Sequence, residues 1–266
     1  MDLQLRGKRA IVTGGGAGIG RAIATELARE GVRVAVTGRR PEVLKEAAAE
    51  IEADTGQSVL AVTADTGSDE SVQAMVAEVV GSFGGVDILA NVASENPAQP
   101  GGPSYVHATD EQFTRQLNVK VLGYLRTTRA VAPFLIEQRW GRIINVSGIG
   151  VRRTGPVINS VRNAGVTALS KSLADELGPY GVNVTVLYPG HTLSNTYEKR
   201  LSAEAAERGL PLEEYLATID TGTAIGRFVR PEEIGWVAAF LASPKSITIS
   251  GDVITVGGGF LGGTYY

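Results

Sequence analysis

The 266-residue chain contains no cysteine. That excludes disulfides, thiolate metal sites and cysteine nucleophiles, and it fits the reducing cytoplasm expected as its location. Histidine is scarce as well, with only His107 and His191. No His or carboxylate cluster shows ligand spacing, so no metal site is expected. Charge of neither sign dominates: 25 Lys and Arg face 28 Asp and Glu, a net charge of -3. Such a surface offers no broad basic field, and nucleic acid is not expected as a partner. No apolar run reaches membrane-spanning length and the first residues, MDLQLRGKRA, lack an apolar signal segment. No membrane association is therefore expected.

What the chain has in quantity is Val, Ile, Ala and Gly, arranged in short apolar runs alternating with helical patterns. Strands are expected over Arg9–Val12, Val32–Thr37, Val59–Thr63, Val86–Asn91, Arg142–Ser147, Asn183–Tyr188 and Val253–Val256. Most lack strict apolar–polar alternation, the pattern of strands buried on both faces. Helices are expected over Ile19–Glu30, Pro41–Ala53, Ser71–Phe83, Glu111–Arg139, Ala164–Leu177 and Glu232–Leu241. The alternation predicts a single α/β domain spanning 1–266, a Rossmann-like doubly wound parallel sheet with helices on both faces. Two connections are long: the Pro- and Gly-rich Ala93–Ala108, and His191–Phe228, which carries a helical insert over Ala203–Ile219. Both follow strand carboxyl ends, where such sheets bind ligands. They are expected on the substrate side, the second (191–228) as a lid.

The first strand runs into Thr13-Gly14-Gly15-Gly16-Ala17-Gly18-Ile19-Gly20, and a helix follows. Glycines allow a tight turn and close approach of backbone to a pyrophosphate, while the helix start supplies N–H donors. Gly14, Gly16, Gly18, Ile19 and Gly20 are thus candidate cofactor-binding residues. The second strand ends in Gly38-Arg39-Arg40, where an acidic residue would bind a ribose 2′-hydroxyl and repel a 2′-phosphate. Arginine makes forked, charge-assisted contacts to phosphate. Arg39 and Arg40 therefore favour NADP(H) over NAD(H).

The TGxxxGxG pattern at Thr13–Gly20 resembles the short-chain dehydrogenase/reductase family. Val86–Asn91, Asn118-Val119, Gly141–Ser147, Tyr188-Pro189-Gly190, Arg230–Ile234 and Gly257–Gly259 resemble further segments of it, so the likeness spans nearly the whole chain. The resemblance implies that Asp65 approaches the adenine and that Asn91, Pro189 and Gly190 line the cofactor site. It implies an oxidoreductase acting on a small organic substrate, and a homotetramer or dimer pairing through Glu111–Arg139 and Ala164–Leu177.

The family's chemistry rests on Asn, Ser and a YxxxK pair, in which Tyr is the acid or base and Lys binds the nicotinamide ribose. By resemblance Asn118 and Ser147 fill the first two roles. The YxxxK register falls on Asn159 and Asn163, and no tyrosine lies between Tyr124 and Tyr180. An Asn amide donates a hydrogen bond but delivers no proton at neutral pH, and losing a positioned acid typically costs about 10²–10⁴ in rate. Asn163 retains hydrogen-bonding capacity toward ribose hydroxyls, without a cation. His191, directly after Pro189-Gly190, is a candidate displaced acid or base, and Arg162 a candidate anion binder. Three readings stay open: an NADP-dependent oxidoreductase with an atypical site, a non-redox enzyme (elimination, isomerisation or cyclisation) retaining the dinucleotide, and a non-catalytic NADP-binding protein.

Overall fold

The structure, a computed structural model, describes residues 1–95, 108–152 and 156–261. Most of the long Pro- and Gly-rich connection, with His107, together with Arg153 and the terminal Thr264-Tyr265-Tyr266, lies outside the described residues. Seven strands form one all-parallel sheet: β1 (Arg9–Thr13), β2 (Arg33–Gly38), β3 (Val59–Thr63), β4 (Ile88–Asn91), β5 (Gly141–Val146), β6 (Val182–Pro189) and β7 (Val253–Val256), in the order β3-β2-β1-β4-β5-β6-β7. Their bounds match the sequence expectation to within two residues.

The Val- and Ile-rich strands are buried from both sides, as runs without alternation require. One face packs under α1 (Gly18–Arg29), α2 (Pro41–Thr55) and α9 (Pro231–Ala242), around Ile23, Leu27, Val34, Ile88, Ile144 and Ile234. The other packs under α3 (Asp69–Phe83), α5 (Gly123–Glu137) and α6 (Val157–Leu177), around Met75, Val79, Leu89, Leu135, Ile143 and Leu173. Chain order reverses where β1 pairs with both β2 and β4. A crevice opens at that point, outside the carboxyl ends of the strands.

Three helix expectations are corrected. Glu111–Arg139 is broken: α4 (Asp110–Leu117) passes through a π turn at Asn118–Leu122 before α5 begins. A π turn admits one extra residue and rotates the side chains that follow. The next long helix starts at Val157, not Ala164, because Pro156 sits in extended backbone and launches it directly. Asn159 and Asn163 therefore stand on regular helix. The insert is two helices, α7 (Asn195–Glu207) and α8 (Leu212–Ala217). Left-handed Gly209 and extended Pro211 separate them. They share a small core of Leu193, Leu201, Ala205, Tyr215 and Phe228, separate from the two sheet faces. Among the described residues no helix is long and apolar enough to cross a membrane.

Leu27 is fully buried in α1 between sheet and α9. Leu27→Ala is expected to lower unfolding free energy by about 2–5 kcal/mol through lost burial and a residual cavity. Urea unfolding measures this. A loss below about 1 kcal/mol would mean that α1 repacks freely.

Candidate functional site

The turn after β1 is shaped by glycine. Gly14 has φ +70, and a Cβ on Gly20 would lie 2.1 Å from the Gly14 carbonyl oxygen, so α1 can begin against the turn only without a side chain there. Thr13 ties the turn to its neighbour: its Oγ1 accepts the N–H groups of Val92 (3.0 Å) and Ala93 (3.2 Å) beyond β4. The N-cap of α1 is Ala17, which has no capping oxygen, and the first turn of the helix holds no acidic residue. The dipole and free N–H groups there face a cleft of about 490 Å³ and suit a bound anion. Gly14, Gly16, Ile19, Gly20, Arg39, Arg40 and Asp65 line that cleft. Gly18 sits at the helix start beside Ser194.

The two arginines after β2 differ. Arg40 is exposed and makes no ion pair among the described residues. Arg39 Nη1 pairs with Glu95 at 2.8 Å, and Arg115 holds the same carboxylate at 2.7 Å. Burial pushes the Glu95 carboxyl up, but the hydrogen bonds from Arg115 and Arg39 outweigh it and hold the group below the usual range. Glu95 also lines the cleft, as its one fixed carboxylate besides Asp65 among the described residues. Asp65 caps its own loop, its Oδ1 accepting the Gly67 N–H at 2.8 Å.

Asn91 is fully buried and faces away from the cleft. It accepts the Thr127 hydroxyl (2.7 Å) and donates to Asn145 Oδ1 (2.9 Å), while Asn145 donates to Ser170 Oγ (2.8 Å). The chain of amides and hydroxyls pins α5 and α6 to the sheet. Pro189 ends β6, and Gly190 lies against Gly257, where a Cβ would come within 2.6 Å of that backbone.

The residues expected to carry chemistry divide into two groups. Ser147 and Asn163 meet: the buried Ser147 hydroxyl donates to the Asn163 carbonyl at 3.0 Å. Asn159 stands one turn earlier on α6, with a buried Oδ1 that has no partner among the described residues. Asn118 is turned elsewhere. Its amide donates to the Gly67 carbonyl (3.2 Å) and accepts from Arg126 (2.8 Å). His191 Nδ1 lies 3.1 Å from the Thr221 carbonyl, on the exposed start of the insert. Arg162 is buried, its Nη1 held by the Glu95 carbonyl (2.9 Å) and Gln116 and its Nε without a partner among the described residues. Desolvation lowers its pKa.

Sequence reasoning missed Lys120. The π turn delivers it into the interior, 4% exposed, with Nζ 3.0 Å from Asn163 Oδ1 and 3.2 Å from the Ser147 carbonyl. No carboxylate pairs with it among the described residues. Desolvation, and then the nearby Arg162 charge, bring its pKa down to about 7. A signal was available: Lys120 interrupts the apolar Val119–Leu122 and has Gln116 and Tyr124, not an acid, one turn away on either side. Glu95, immediately beyond Ser94, was missed with it. Among the described residues no cluster of His, Asp or Glu suits a metal ion.

Residues 14–261 match the family model described as enoyl-(acyl carrier protein) reductase. The chain is 34% identical over 261 residues to the 3-oxoacyl-(acyl-carrier-protein) reductase FabG of Aquifex aeolicus, covering 97% of this chain and 99% of that one. It superimposes on L-sorbose reductase from Gluconobacter frateurii, solved with NADPH and L-sorbose, with a TM-score of 0.89 and 30% identity over 99% of this chain and 100% of that one. NAD+-bound xylitol dehydrogenase matches with a TM-score of 0.83 and 26% identity, covering 96% of this chain and 100% of that one.

The buried amine has a thermodynamic signature. Folded, Lys120 titrates at about 7; unfolded, at 10.5. Below about pH 7 both states hold the proton and the burial penalty is fully present. Between the two values only the unfolded chain holds it, so stability rises with pH at up to about 1.4 kcal/mol per unit. Relative to Lys120→Met, the unaltered protein is expected to gain about 2 kcal/mol between pH 6 and 8.5, measured by urea unfolding. A difference that ignores pH would rule out a depressed lysine.

Proposed function

We propose that this chain, which belongs to the short-chain dehydrogenase/reductase family, is an oxidoreductase that uses NADP(H) on a small organic substrate through an atypical active site. The observation that carries the reading is the cleft itself: a glycine turn, an uncapped helix start and two arginines placed in sequence along one groove. The fit is chemical. The first-turn N–H groups of α1 are without a capping side chain, as a pyrophosphate requires, and Gly14 and Gly20 let the turn close tightly enough for α1 to start beside the groove. Arg40 is open to a 2′-phosphate, and Arg39 reaches one by exchanging Glu95 for it. When bound, the cofactor supplies hydride.

Beyond the residues that line the cleft, the buried Ser147 and Asn163 form a polar pair and Asn159 carries an amide oxygen with unused bonding capacity. These groups orient a substrate oxygen by hydrogen bonds. No phenol stands at Asn159, so the proton comes from water or from His191, and a substrate needing little acid assistance suits the site. The insert α7–α8, beginning beyond Gly190, lies on the substrate side as a lid with its own core. Exposed Leu122, Val157 and Val161 on the α4–α5 and α6 segments support pairing between copies through those helices. The L-sorbose reductase, solved with NADPH, supports the cofactor choice.

The unpartnered Asn159 also supports a second reading, a dinucleotide-dependent reaction without net redox change. Absorbance separates the two, since only the first consumes NADPH with substrate.

Fluorescence titration is expected to show NADPH binding more tightly than NADH. Arg40→Ala should weaken NADPH roughly ten-fold or more, the worth of a charge-assisted hydrogen bond, and leave NADH nearly unchanged. Glu95→Gln should strengthen NADPH by freeing Arg39. Preference for NADH, or an equal loss for both cofactors in Arg40→Ala, would overturn the phosphate reading.

A further inference from the structure

Lys120 is an expensive residue to hold where it is. An amine out of water with no carboxylate partner, beside a second cation, costs stability. Its neighbours show what it does there. The lysine is a donor toward Asn163, so the acceptor Oδ1 of that amide faces Lys120 at 3.0 Å and the NH₂ group is turned away. The NH₂ group points past Gly148, where a Cβ would lie 3.1 Å from Nδ2. Glycine there leaves the amide room. The Ser147 carbonyl holds the ammonium on its other side at 3.2 Å, and the Ser147 hydroxyl ties down the Asn163 backbone. Asn163 stands where the family resemblance implies a lysine that binds the nicotinamide ribose.

We propose that Lys120 and Asn163 divide the task of that lysine: Asn163 offers its NH₂ group to the cofactor ribose, while Lys120, from the facing helix, fixes that amide and supplies the positive charge from beneath. The inference rests on the nicotinamide reading above. Lys120 is a positioning residue, acting through Asn163.

The charge has a consequence for the cofactor's redox form. The oxidised nicotinamide ring is a cation and the reduced ring is neutral, so a buried positive charge nearby favours the reduced form. Burial brings the amine's titration to about 7, with Arg162 adding to the shift. The groups facing it are few. Helix α6 brings Arg162, a cation that depresses the titration, and the neutral Asn163. Helix α5 brings Tyr124, whose phenol is pushed far up by burial and stays neutral. Helix α4 brings Gln116 and the end of β5 brings Ser147, neither of which titrates. No carboxylate opposes the shift among the described residues. The preference for reduced over oxidised cofactor therefore falls as pH rises through neutrality.

The test uses dissociation constants and thermal melts, with no turnover. Binding of NADPH and NADH is read by fluorescence, and of NADP+ and NAD+ by competition, from about pH 6 to about pH 8.5. The proteins are the unaltered chain, Lys120→Met, Lys120→Asn, Asn163→Lys, and the exchange variant Lys120→Asn with Asn163→Lys. In the unaltered chain the reduced-to-oxidised preference should fall several-fold across that range. Lys120→Met should abolish the pH dependence and weaken reduced-cofactor binding roughly ten-fold at the acidic end. Asn163→Lys alone sets two amines side by side and should lower the melting temperature. The exchange variant should recover both melting temperature and binding to within about three-fold, a non-additive result. Equal pH dependence with and without Lys120, or an exchange variant whose loss is the sum of the single losses, would overturn the proposal and leave the nicotinamide reading intact. Failure of the unaltered chain to bind any of the four dinucleotides would overturn both.

Discussion

The arrangement of this site depends on a buried line of polar side chains. Thr127, Asn91, Asn145 and Ser170 pass hydrogen bonds from α5 through β4 and β5 to α6, and Ser170 closes the line on the Val166 carbonyl at 2.6 Å. Each bond is modest by itself. Buried, the groups cannot do without one another, because any broken link leaves a desolvated donor or acceptor. Hydrophobic packing alone would let the two helices slide over the sheet; the polar line fixes their register. Lys120 just before α5 and Asn163 on α6 meet because the line holds both helices to one position.

At the opposite end of the crevice the constraint is steric. The contact between the Gly14 carbonyl and the Cα face of Gly20 brings α1 onto the strand end, and the dipole of α1 then faces the groove. One end of the groove is therefore positive by backbone geometry. Two buried cations close to each other, Lys120 and Arg162, lie in the interior and are not among the residues that line the groove. Glu95 lies between, held by Arg39 and Arg115 and touching Arg162 through its carbonyl.

The parts that were legible from the chain are those fixed by local rules. Val- and Ile-rich runs give strands, glycines after β1 give the turn, and the order of elements gives the doubly wound sheet. The site was legible where it is backbone: Gly14, Gly16 and Gly20 line the cleft, as do Arg39 and Arg40, which directly follow a strand. It was not legible where a long-range contact decides. Asn91 sits at the end of its strand as expected, yet its partners on β5 and α5 turn it inward. Asn118 and Lys120 are two residues apart, and a helical wheel cannot say which reaches Ser147, because the π turn rotates the face presented to α6. Helix α6 begins seven residues before the point that the sequence pattern marks, since Val157–Asn163 lacks a strong apolar stripe and is held by tertiary contacts.

The small core under α7 and α8 has a meaning for the history of such a protein. Leu193, Leu201, Tyr215 and Phe228 satisfy one another and borrow little from the sheet. Substitutions on the outer side of this module are therefore insulated from the folding of the rest. Sequence change there can accumulate while the glycine turn, the polar line and the sheet stay untouched.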